Sequence, residues 1–422
     1  MSSTIETDLA EARALTVPAG VDLAQTPEEL LGRAEALIPA LREQQADAEV
    51  RGHYGEDIHR EFVKAGFSRV LQPRRFGGYE FDLTTFFRLV MTISRGDPGT
   101  GWCFSLGAGH ALPMAAYFGE QAQAEVFGPD GEFRAPHRNQ GGRGRAVKVD
   151  GGYRVSATFD YCSGIPYSTH LMATTLEQAA SGPRQVVVVI PRDQYTILDD
   201  WGNGATLGMQ GSGSNSVEVD DVFVPDHLAV PYDWVEHVGP TPGTQLHGNP
   251  MYIGRLMGFY TGEVVSVAVG TARAALDEFE QIARTKKTLK PPQVLRFEHH
   301  DTQRTFGLAL TMTDAAEAIV RQAGAQYTEF AERDAAGGPP FTAREDMRIR
   351  GLMHQAGRLA AESVELLFHN AGSSAARHGQ RMQRYFREIS MFRGHPTALY
   401  MNSASEHARV YFGNSSGQPE LV

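Results

Sequence analysis

Apolar positions in the first third of the chain recur every three or four residues, which is the period of an amphipathic helix. The sequence Thr26-Pro27-Glu28-Glu29 combines a capping box with proline at the first helical position, and apolar residues then continue on one helical face to Leu41. Further helical patterns, separated by glycine and proline, cover residues 57–65, 83–94 and 100–118. We therefore predict a helical domain over residues 26–131.

Prolines interrupt two of these helical patterns. Pro39 lies within the first pattern and Pro113 within the last. Because proline has no N–H to donate and its ring clashes with the preceding turn, we expect Pro39 to bend its helix. For the same reason we expect Pro113 to kink or end the helix over residues 100–118.

The period changes to two from about residue 132. Asp150-Gly151-Gly152 lies between two short alternating runs and is typical of a β-hairpin, and residues 185–190 form a continuous apolar strand. Residues 217–224 alternate valines with acidic partners and stop at Pro225. We predict a β-domain over residues 132–232.

Long helical patterns resume after the β-domain. They cover residues 257–284, 300–333 and 397–411, and Thr342-Ala343-Arg344-Glu345 begins another. Glycine, alanine and serine are frequent in the first of these helices and allow close packing between helices. Two unrelated helical domains joined by a sheet are an alternative, but the short connections favour a four-helix bundle over residues 233–422.

Composition and charge limit the function classes. The chain has 422 residues, enough for two or three domains, and a net charge of −11, which argues against nucleic acid or an anionic membrane as a partner. No apolar run approaches the length of a membrane span. Residues 1–25 have neither a cationic start nor an apolar core, so we expect a loose arm rather than a signal peptide.

Metal, disulfide and nucleotide motifs are also missing from the sequence. Cys103 and Cys162 are far apart and form no CxxC pair, so we expect neither a zinc site nor a disulfide, and we expect a cytoplasmic location. The sequences GxGxxG, GxxxxGK[ST], GxSxG and HExxH do not occur. His299-His300-Asp301 does not indicate a metal site, because adjacent histidines on a helix point in different directions.

The order of these segments resembles a known family. Residues 207–225 place a glycine and serine loop before an alternating strand between two helical regions, as at the end of the β-domain in the acyl-CoA dehydrogenase superfamily. More narrowly, the chain resembles the oxygenase components of two-component monooxygenases that use reduced flavin, from about residue 30 to 413. The resemblance implies an α+β fold: an N-terminal helical domain, a central β-barrel or sandwich domain and a C-terminal four-helix bundle.

Tyr161-Cys162-Ser163-Gly164 resembles the family segment that lies against the flavin ring. The resemblance implies that Tyr161, Cys162 and Ser163 contact the flavin. It also gives the Ser163 hydroxyl a catalytic role at flavin N5, because a C4a-hydroperoxide survives only if N5 keeps its proton. Without the family, Ser163 is a turn serine at the end of a strand.

His110, in Gly107-Ala108-Gly109-His110, matches a histidine that lines the substrate pocket in the aromatic hydroxylases of this group. An imidazole at this place holds or deprotonates a phenol, since its pKa lies near neutrality. Without the resemblance, it is a half-buried and hydrogen-bonded helix histidine.

His395 separates the two main activities of the superfamily. Residues 383–388 resemble the family's terminal Arg-x-x-Arg-Asp sequence, with Glu388 in place of the aspartate, and residues 389–400 contain no carboxylate. Many of the dehydrogenases hold their catalytic glutamate there, whereas a histidine resembles the monooxygenases, in which it assists formation or proton transfer of the hydroperoxide. Without the family, His395 is a helix N-terminal histidine beside Pro396.

Further flavin contacts are expected at a glycine turn. Residues 370–375 resemble the turn that contacts the flavin of a neighbouring subunit, through Gly372, Ser373 and Ser374. By position, Arg284 and Arg304 are phosphate partners. As a bare pattern the turn is only a helix C-cap, and most arginines on helices are solvated. Residues 134–142 depart from the family, in which this stretch is smaller or more hydrophobic.

The leading hypothesis is a monooxygenase that takes FMNH2 or FADH2 from a separate flavin reductase, reacts it with O2 and hydroxylates an aromatic or polycyclic compound. N-hydroxylation of an amine is a close alternative within that class. The resemblance also implies a homotetramer. A second hypothesis is an acyl-CoA dehydrogenase or nitroalkane-oxidase-like enzyme that retains FAD, and a third is a non-catalytic binding protein with the same fold.

Overall fold

Helices α1 to α7 precede the first strand in the computed structural model, which describes residues 24, 26–128, 132–138, 143–179, 182–232, 234, 237 and 239–413. The predicted loose arm lies outside the described residues apart from Ala24. The helices are α1 (Pro27–Glu43), α2 (Gln45–Arg51), α3 (Glu56–Ala65), α4 (Leu83–Gly96), α5 (Pro98–Ala108), α6 (Ala111–Tyr117) and α7 (Glu120–Phe127).

The start of α1 agrees with the sequence. Thr26 is the N-cap residue, and its hydroxyl accepts a hydrogen bond from the Glu29 backbone N–H at 3.2 Å. Pro39 lies inside this helix, which continues to Glu43.

The predicted helix over residues 100–118 was wrong in one respect, because it is two helices. Helix α5 ends at Ala108 and α6 begins at Ala111, so the break falls at Gly109 and His110 rather than at Pro113. Pro113 then lies in the first turn of α6, where a missing N–H leaves no helical bond unmade. The break places His110 at the N-cap of α6.

The β-domain contains one connected sheet of eight strands in the order β6-β7-β3-β2-β4-β5-β8, with β1 paired in parallel to β4. The strands are β1 (His137–Arg138), β2 (Arg143–Val149), β3 (Gly152–Phe159), β4 (His170–Ala179), β5 (Gly182–Pro191), β6 (Thr196–Ile197), β7 (Val217–Pro225) and β8 (Ala229–Pro231).

Strand register confirms the predicted hairpin. Val149 pairs with Gly152 across the two-residue turn Asp150-Gly151, and β3 pairs along its other edge with β7 through an irregularity between Val155 and Ala157. The β3–β7 pairing matters for the site, because it brings the turn after β3 beside the glycine and serine loop that precedes β7.

Helices return as α8 (Pro242–His247), α9 (Met257–Thr285), α10 (His300–Ala335), α11 (Ala343–Ala371), α12 (Arg381–Arg393) and α13 (Tyr400–Tyr411). Thr342 and Glu345 form the predicted capping box at the start of α11. The small residues of α9 allow close packing: a Cβ at Gly270 would lie 2.4 Å from the Met91 carbonyl oxygen, and one at Gly262 would lie 2.5 Å from the Phe87 ring.

The identity of the fourth bundle helix was predicted incorrectly. Helix α12 packs against both α9 and α11, whereas α13, which was expected over residues 397–411, packs on α11. The reason is apolar burial. Helix α12 buries Met382, Tyr385, Ile389 and Phe392, whereas Ser403 is the buried residue of α13.

The described ranges contain neither a membrane-spanning helix nor a cluster of metal ligands. None of the helices there is both long and apolar enough to cross a bilayer. That part of the chain also contains no group of three or more histidine, cysteine or acidic side chains able to hold a metal ion. Cys103 and Cys162 are both free and buried.

Candidate active site

Ser163 lies in a buried line of hydrogen bonds. The turn that carries it follows β3, and the Trp102 indole N–H on α5 donates to Ser163 Oγ at 3.1 Å. Ser163 Oγ is 2.7 Å from Ser214 Oγ, which is 2.6 Å from Ser212 Oγ. The glycine and serine loop singled out in the sequence therefore supplies the hydroxyl partners of Ser163.

Backbone pairing holds the same loop against the turn. The Cys162 N–H donates to the Asn215 carbonyl at 3.2 Å, and the Gly164 N–H donates to the Gly213 carbonyl at 3.0 Å. Gly164 has a φ of 88°, and a Cβ there would lie 2.6 Å from the Cys103 carbonyl oxygen. Only glycine fits this position, so the sequence fixes how closely the turn approaches α5.

His395 lies edge-on to the Trp102 indole. The two rings stand nearly perpendicular, with centroids 5.2 Å apart. His395 Nδ1 accepts a hydrogen bond from the Thr397 backbone N–H at 3.2 Å, so the proton of the neutral ring lies on Nε2. Burial, helped by the charge of Arg138, lowers the pKa of His395 to about 4. The ring is therefore neutral near pH 7 and offers one N–H donor.

His110 is more enclosed than the sequence indicated, with 2% of its surface exposed. Its Nδ1 lies 2.7 Å from the Ala135 carbonyl oxygen, and its Nε2 lies 3.5 Å from Glu263 Oε1. Its ring is also perpendicular to that of His137, with centroids 5.6 Å apart. Both nitrogens of His110 therefore face protein groups rather than open space.

Arg138 connects the two histidine regions electrostatically. Burial lowers the pKa of His395, and the positive charge of Arg138 acts in the same direction. Burial also lowers the pKa of His137, together with His110 and Arg138. Burial raises the pKa of Cys162, and the charge of Arg138 opposes that shift. Of the three predicted catalytic residues, Ser163 and His395 thus share the partner Trp102, whereas His110 lies beside Ala135 and His137, at the start of β1.

Tyr161 and Cys162 differ from each other although they are adjacent. Tyr161 is 59% exposed at a φ of 58°, with its ring edge-on to Trp201. Cys162 is buried, its thiol donates to the Phe159 carbonyl at 3.3 Å, and burial raises its pKa to about 12. The thiol is therefore inert near neutral pH, and Tyr161 is the member of the pair that reaches the surface.

Glu388 attaches the glycine and serine loop to α12. Its buried carboxylate accepts a hydrogen bond from the Met209 N–H at 2.6 Å, and a Cβ at Gly208 would lie 2.2 Å from the Arg387 carbonyl oxygen. Burial raises the pKa of Glu388 to about 8, and the charges of Asp97 and Glu49 act in the same direction. Glu388, which replaces the family aspartate, thus connects two parts of the site. One is α12, which leads to His395, and the other is the glycine and serine loop, whose Ser214 contacts Ser163.

A small cavity lies beside Gly164, with a volume of about 20 Å³. Tyr54, His59 and Tyr167 line it, with the His59 and Tyr167 rings stacked at 4.0 Å. This volume holds about one water molecule, so the cavity is too small for an aromatic substrate.

Comparisons with known proteins agree with this geometry. Residues 34–130 match the acyl-CoA dehydrogenase N-terminal domain, and residues 264–398 match the acyl-CoA dehydrogenase C-terminal domain. The chain is 32% identical over 384 residues to the pigment production hydroxylase of a Rhodococcus species, which covers 90% of this chain and 95% of that protein. It belongs to the acyl-CoA dehydrogenase superfamily, among the flavin-dependent monooxygenases.

Other similar proteins support the same placement. The flavin-dependent monooxygenase oxygenase subunit HsaA of Rhodococcus jostii is 28% identical over 382 residues, which are 90% of this chain and 96% of that protein. The crystal structure of 3-HSA hydroxylase from Rhodococcus sp. RHA1 matches with a TM-score of 0.82 at 26% identity, covering 93% of this chain and 99% of that one. The recognised family and fold are therefore confirmed, and this monooxygenase uses a flavin.

Two of the remaining predicted flavin contacts of this monooxygenase, Arg284 and the Gly372 turn, form a second cluster through Lys286 and Ser374. Arg284 pairs with Glu280 at 2.8 Å, Arg304 pairs with Asp301 at 3.1 Å, and both arginines are exposed. Arg284 lies 21 residues after Glu263 on α9, which is about 30 Å along the helix axis. Because Glu263 contacts His110, Arg284 is remote from His110 within one subunit.

The glycine turn belongs to that second cluster. Gly372 has a φ of 93°, and the Arg296 guanidinium donates to the Ala371 carbonyl at 2.6 Å just before it. Ser373 is exposed, and the Ser374 hydroxyl accepts a hydrogen bond from Lys286 at 2.9 Å. The turn therefore presents hydroxyls and cations at the surface of the subunit, next to Arg284.

Sequence reasoning missed several residues of the site. Glu263 had a visible signal, because it is the one charged residue between positions 257 and 272 of an otherwise apolar helix. Arg138 and His137 fall in the stretch already noted as a departure from the family. Trp102 had no signal, since its two contacts are with residues 61 and 293 positions away in the chain.

The donors near Ser163 fit the polar edge of a flavin ring. Ser163 Oγ and the Nε2–H of His395 flank one indole, and Arg138 Nε is buried without a hydrogen-bond partner among the residues that the structure describes. Such a set of donors suits carbonyl oxygens and ring nitrogens, which are the polar atoms of an isoalloxazine.

Proposed function

We propose that this chain is the oxygenase component of a two-component monooxygenase that hydroxylates an aromatic compound with O2 and a reduced flavin supplied by a separate reductase. One observation carries this proposal: Trp102 holds Ser163 and the neutral His395 together in a buried cluster. No carboxylate occurs in residues 389–400, where many dehydrogenases of the superfamily hold their catalytic glutamate.

The proton positions in this cluster suit oxygen chemistry. Since the indole N–H donates to Ser163 Oγ and Ser214 can donate to the same oxygen, the Ser163 hydrogen is free to point at the flavin edge. His395 holds its proton on Nε2 because Nδ1 is occupied by the Thr397 N–H. When bound, a reduced flavin supplies two electrons to O2. The surrounding residues keep water out and hold the protons.

The aromatic character of the substrate is supported by the rings near His110. His137 lies 5.5 Å from Trp234 and 5.7 Å from Tyr260, and the Trp234 ring stacks on Tyr117 at 4.7 Å. Aromatic walls favour offset or edge-on contact with another ring. This region is the part of the site that is best matched to an arene.

We also propose a homotetramer in which the Gly372 turn and Arg284 of one subunit complete the flavin site of another. The support is the distance of about 30 Å along α9 between Arg284 and Glu263, the residue that contacts His110. One flavin ring cannot contact both the His110 region and Arg284 of the same subunit. Two buried free cysteines and a net charge of −11 fit a cytoplasmic location. Either FMN or FAD fits the described contacts, so the affinity of each reduced form decides between them.

The proposal is tested by supplying the purified protein with photochemically reduced FMN or FAD, O2 and a panel of phenols, without any reductase. We expect a hydroxylated product from at least one phenol, and none when the flavin is oxidised. Reduction of a dye by an acyl-CoA, with no hydroxylated product, would instead identify a dehydrogenase.

A further inference from the structure

Glu263 is an unusual residue for its position. It is 3% exposed and lies within a stretch of α9 that is otherwise free of charge. A buried carboxylate without a partner is costly, and the titratable group facing it is His110, whose Nε2 lies 3.5 Å from Oε1. Burial raises the pKa of Glu263, and His110 opposes that shift.

Hydrogen bonding fixes one proton between these two side chains. The Ala135 carbonyl oxygen can only accept, so His110 Nδ1, at 2.7 Å, must carry a hydrogen. If the ring were neutral, its Nε2 lone pair would then face a carboxylate lone pair. A proton must therefore lie between His110 and Glu263, either on the imidazole or on the acid.

The second oxygen of Glu263 has no partner. Glu263 Oε2 and the Trp234 indole N–H are both buried without a hydrogen-bond partner among the described residues. A Cβ at Gly109 would lie 3.0 Å from Oε2, so glycine at this position lets the backbone approach the oxygen closely. A buried acceptor and a buried donor beside aromatic rings suit an arene that carries a hydroxyl group.

The neighbouring titratable groups are already engaged. His137 Nδ1 lies 2.7 Å from the Tyr260 hydroxyl, and His137 Nε2 lies 3.1 Å from the Thr174 hydroxyl. Burial lowers the pKa of His137 and raises that of Tyr260, so neither competes for the proton near pH 7. Glu263 Oε2 is therefore the acceptor that is left for a substrate.

We infer that Glu263, held by His110, takes the proton of a phenolic substrate, and that His110 is the positioning residue rather than the base. This step starts from the ionised carboxylate of Glu263, with the shared proton on His110. The substrate O–H bond breaks and an O–H bond forms at Oε2, with no electron transferred to or from the protein. The product hydroxyl recovers a proton from Glu263 after oxygen transfer. The inference rests on the proposed function and makes a neutral phenol, rather than an aromatic acid bound by its carboxylate, the preferred class at this end of the site.

Binding of 4-nitrophenol tests this inference directly, because the phenol and the phenolate absorb at different wavelengths. The full-length protein with flavin bound is titrated anaerobically, about one unit below the pKa of the free compound. We expect the wild type to bind 4-nitrophenol mainly as phenolate. In Glu263→Gln the ratio of bound phenolate to bound phenol should fall at least about tenfold, the equivalent of one pKa unit.

Three variants keep the test decisive. Glu263→Asp retains a carboxylate and should retain part of the phenolate signal, and Glu278→Gln, on the same helix, should match the wild type. If circular dichroism shows that Glu263→Gln does not fold, the phenolate signals of Glu263→Asp and of the wild type still show whether the carboxylate takes the proton. Equal phenolate in Glu263→Gln and wild type, binding of neutral phenol by the wild type, or no binding at all would each overturn the inference.

Failure of the proposed function would look different. In that case the wild type would yield no oxygenated product with reduced flavin and O2, whatever the state of bound 4-nitrophenol. If only the inference fails, oxygenated product still forms. The rate of product formation by Glu263→Gln then falls by the same factor for a phenol that is already ionised in solution as for one that is not.

Discussion

The indole N–H of Trp102 donates to Ser163 Oγ at 3.1 Å, while the same ring lies edge-on to His395. One rigid side chain therefore sets the distance between the hydroxyl and the imidazole. Neither Ser163 nor His395 contacts the other directly through a described hydrogen bond, so their relative position depends on the indole.

Replacing Trp102 by phenylalanine tests this dependence. The ring contact with His395 is largely kept, but Ser163 loses its donor, which costs about 0.5–1.5 kcal/mol of folding free energy. We expect a folded protein with a modest fall in thermal stability and a larger share of reduced flavin ending as free H2O2. Hydrogen peroxide assayed beside product measures this share, and an unchanged ratio would contradict the role of the indole.

His395→Ala should slow oxygenation by about 100-fold, the size of a typical general acid–base contribution. Arg377→Ala, an exposed residue beyond the Gly372 turn, is the control and should change the rate little. Because burial lowers the pKa of His395 to about 4, this ring should add no inflection to the wild-type rate between pH 6 and 8. Equal rates in the two variants would remove His395 from the mechanism.

Arg284→Ala should weaken binding of reduced flavin, since a lost charge-assisted phosphate contact costs about 1.5–3 kcal/mol, or roughly 10- to 100-fold in Kd. Arg321→Ala is a matched control, because Arg321 is also exposed and pairs with the residue four positions earlier on its helix. Anaerobic titration measures both Kd values. The same weakening in both variants would argue against a flavin contact at Arg284.

The sequence predicted the fold from local signals. Helix α9, strand β7 and the β2–β3 hairpin follow directly from apolar period and turn residues, so their positions were predicted closely. Helix α12 was missed because arginines and a glutamate separate its buried residues, which obscures the helical period. The break before α6 was missed because Pro113 requires a helix end upstream but does not determine at which residue it falls.

The site was only partly predictable. Ser163 and His395 were proposed from family order, yet their shared partner Trp102 belongs to a distant segment, and contacts of that kind are not visible in one sequence. His110 was assigned to the substrate, whereas both of its nitrogens face Ala135 and Glu263. Glu263, the one charged residue in the apolar first half of α9, was the signal that would have revealed the partner of His110.

Glu388→Gln should change the pH dependence of stability. Burial raises the pKa of Glu388 to about 8 in the folded protein, above its value in the unfolded chain. The contribution of this group to the free energy of unfolding is therefore complete below the unfolded pKa and is lost as the pH rises through 8. We expect the wild type to lose up to about 1.4 kcal/mol of unfolding free energy per pH unit from this group between pH 6.5 and 8. Glutamine still accepts the Met209 N–H and should flatten that slope.

Chemical denaturation at several pH values measures the difference between wild type and Glu388→Gln. Glu278→Gln serves as the control, because it removes a carboxylate from α9 without touching the Met209 loop. Parallel stability curves for wild type and Glu388→Gln would contradict the assignment of a neutral Glu388 at pH 7.

Isotope labelling of the product tests the central claim most directly. The wild-type protein is mixed with reduced flavin, a phenol that it converts and ¹⁸O2 in unlabelled water, and the product is examined by mass spectrometry. If the chain is a flavin-dependent oxygenase, the new hydroxyl carries one atom of ¹⁸O. A product oxygen that comes from water, or consumption of O2 that yields only H2O2 and no hydroxylated product from any phenol, would contradict the account.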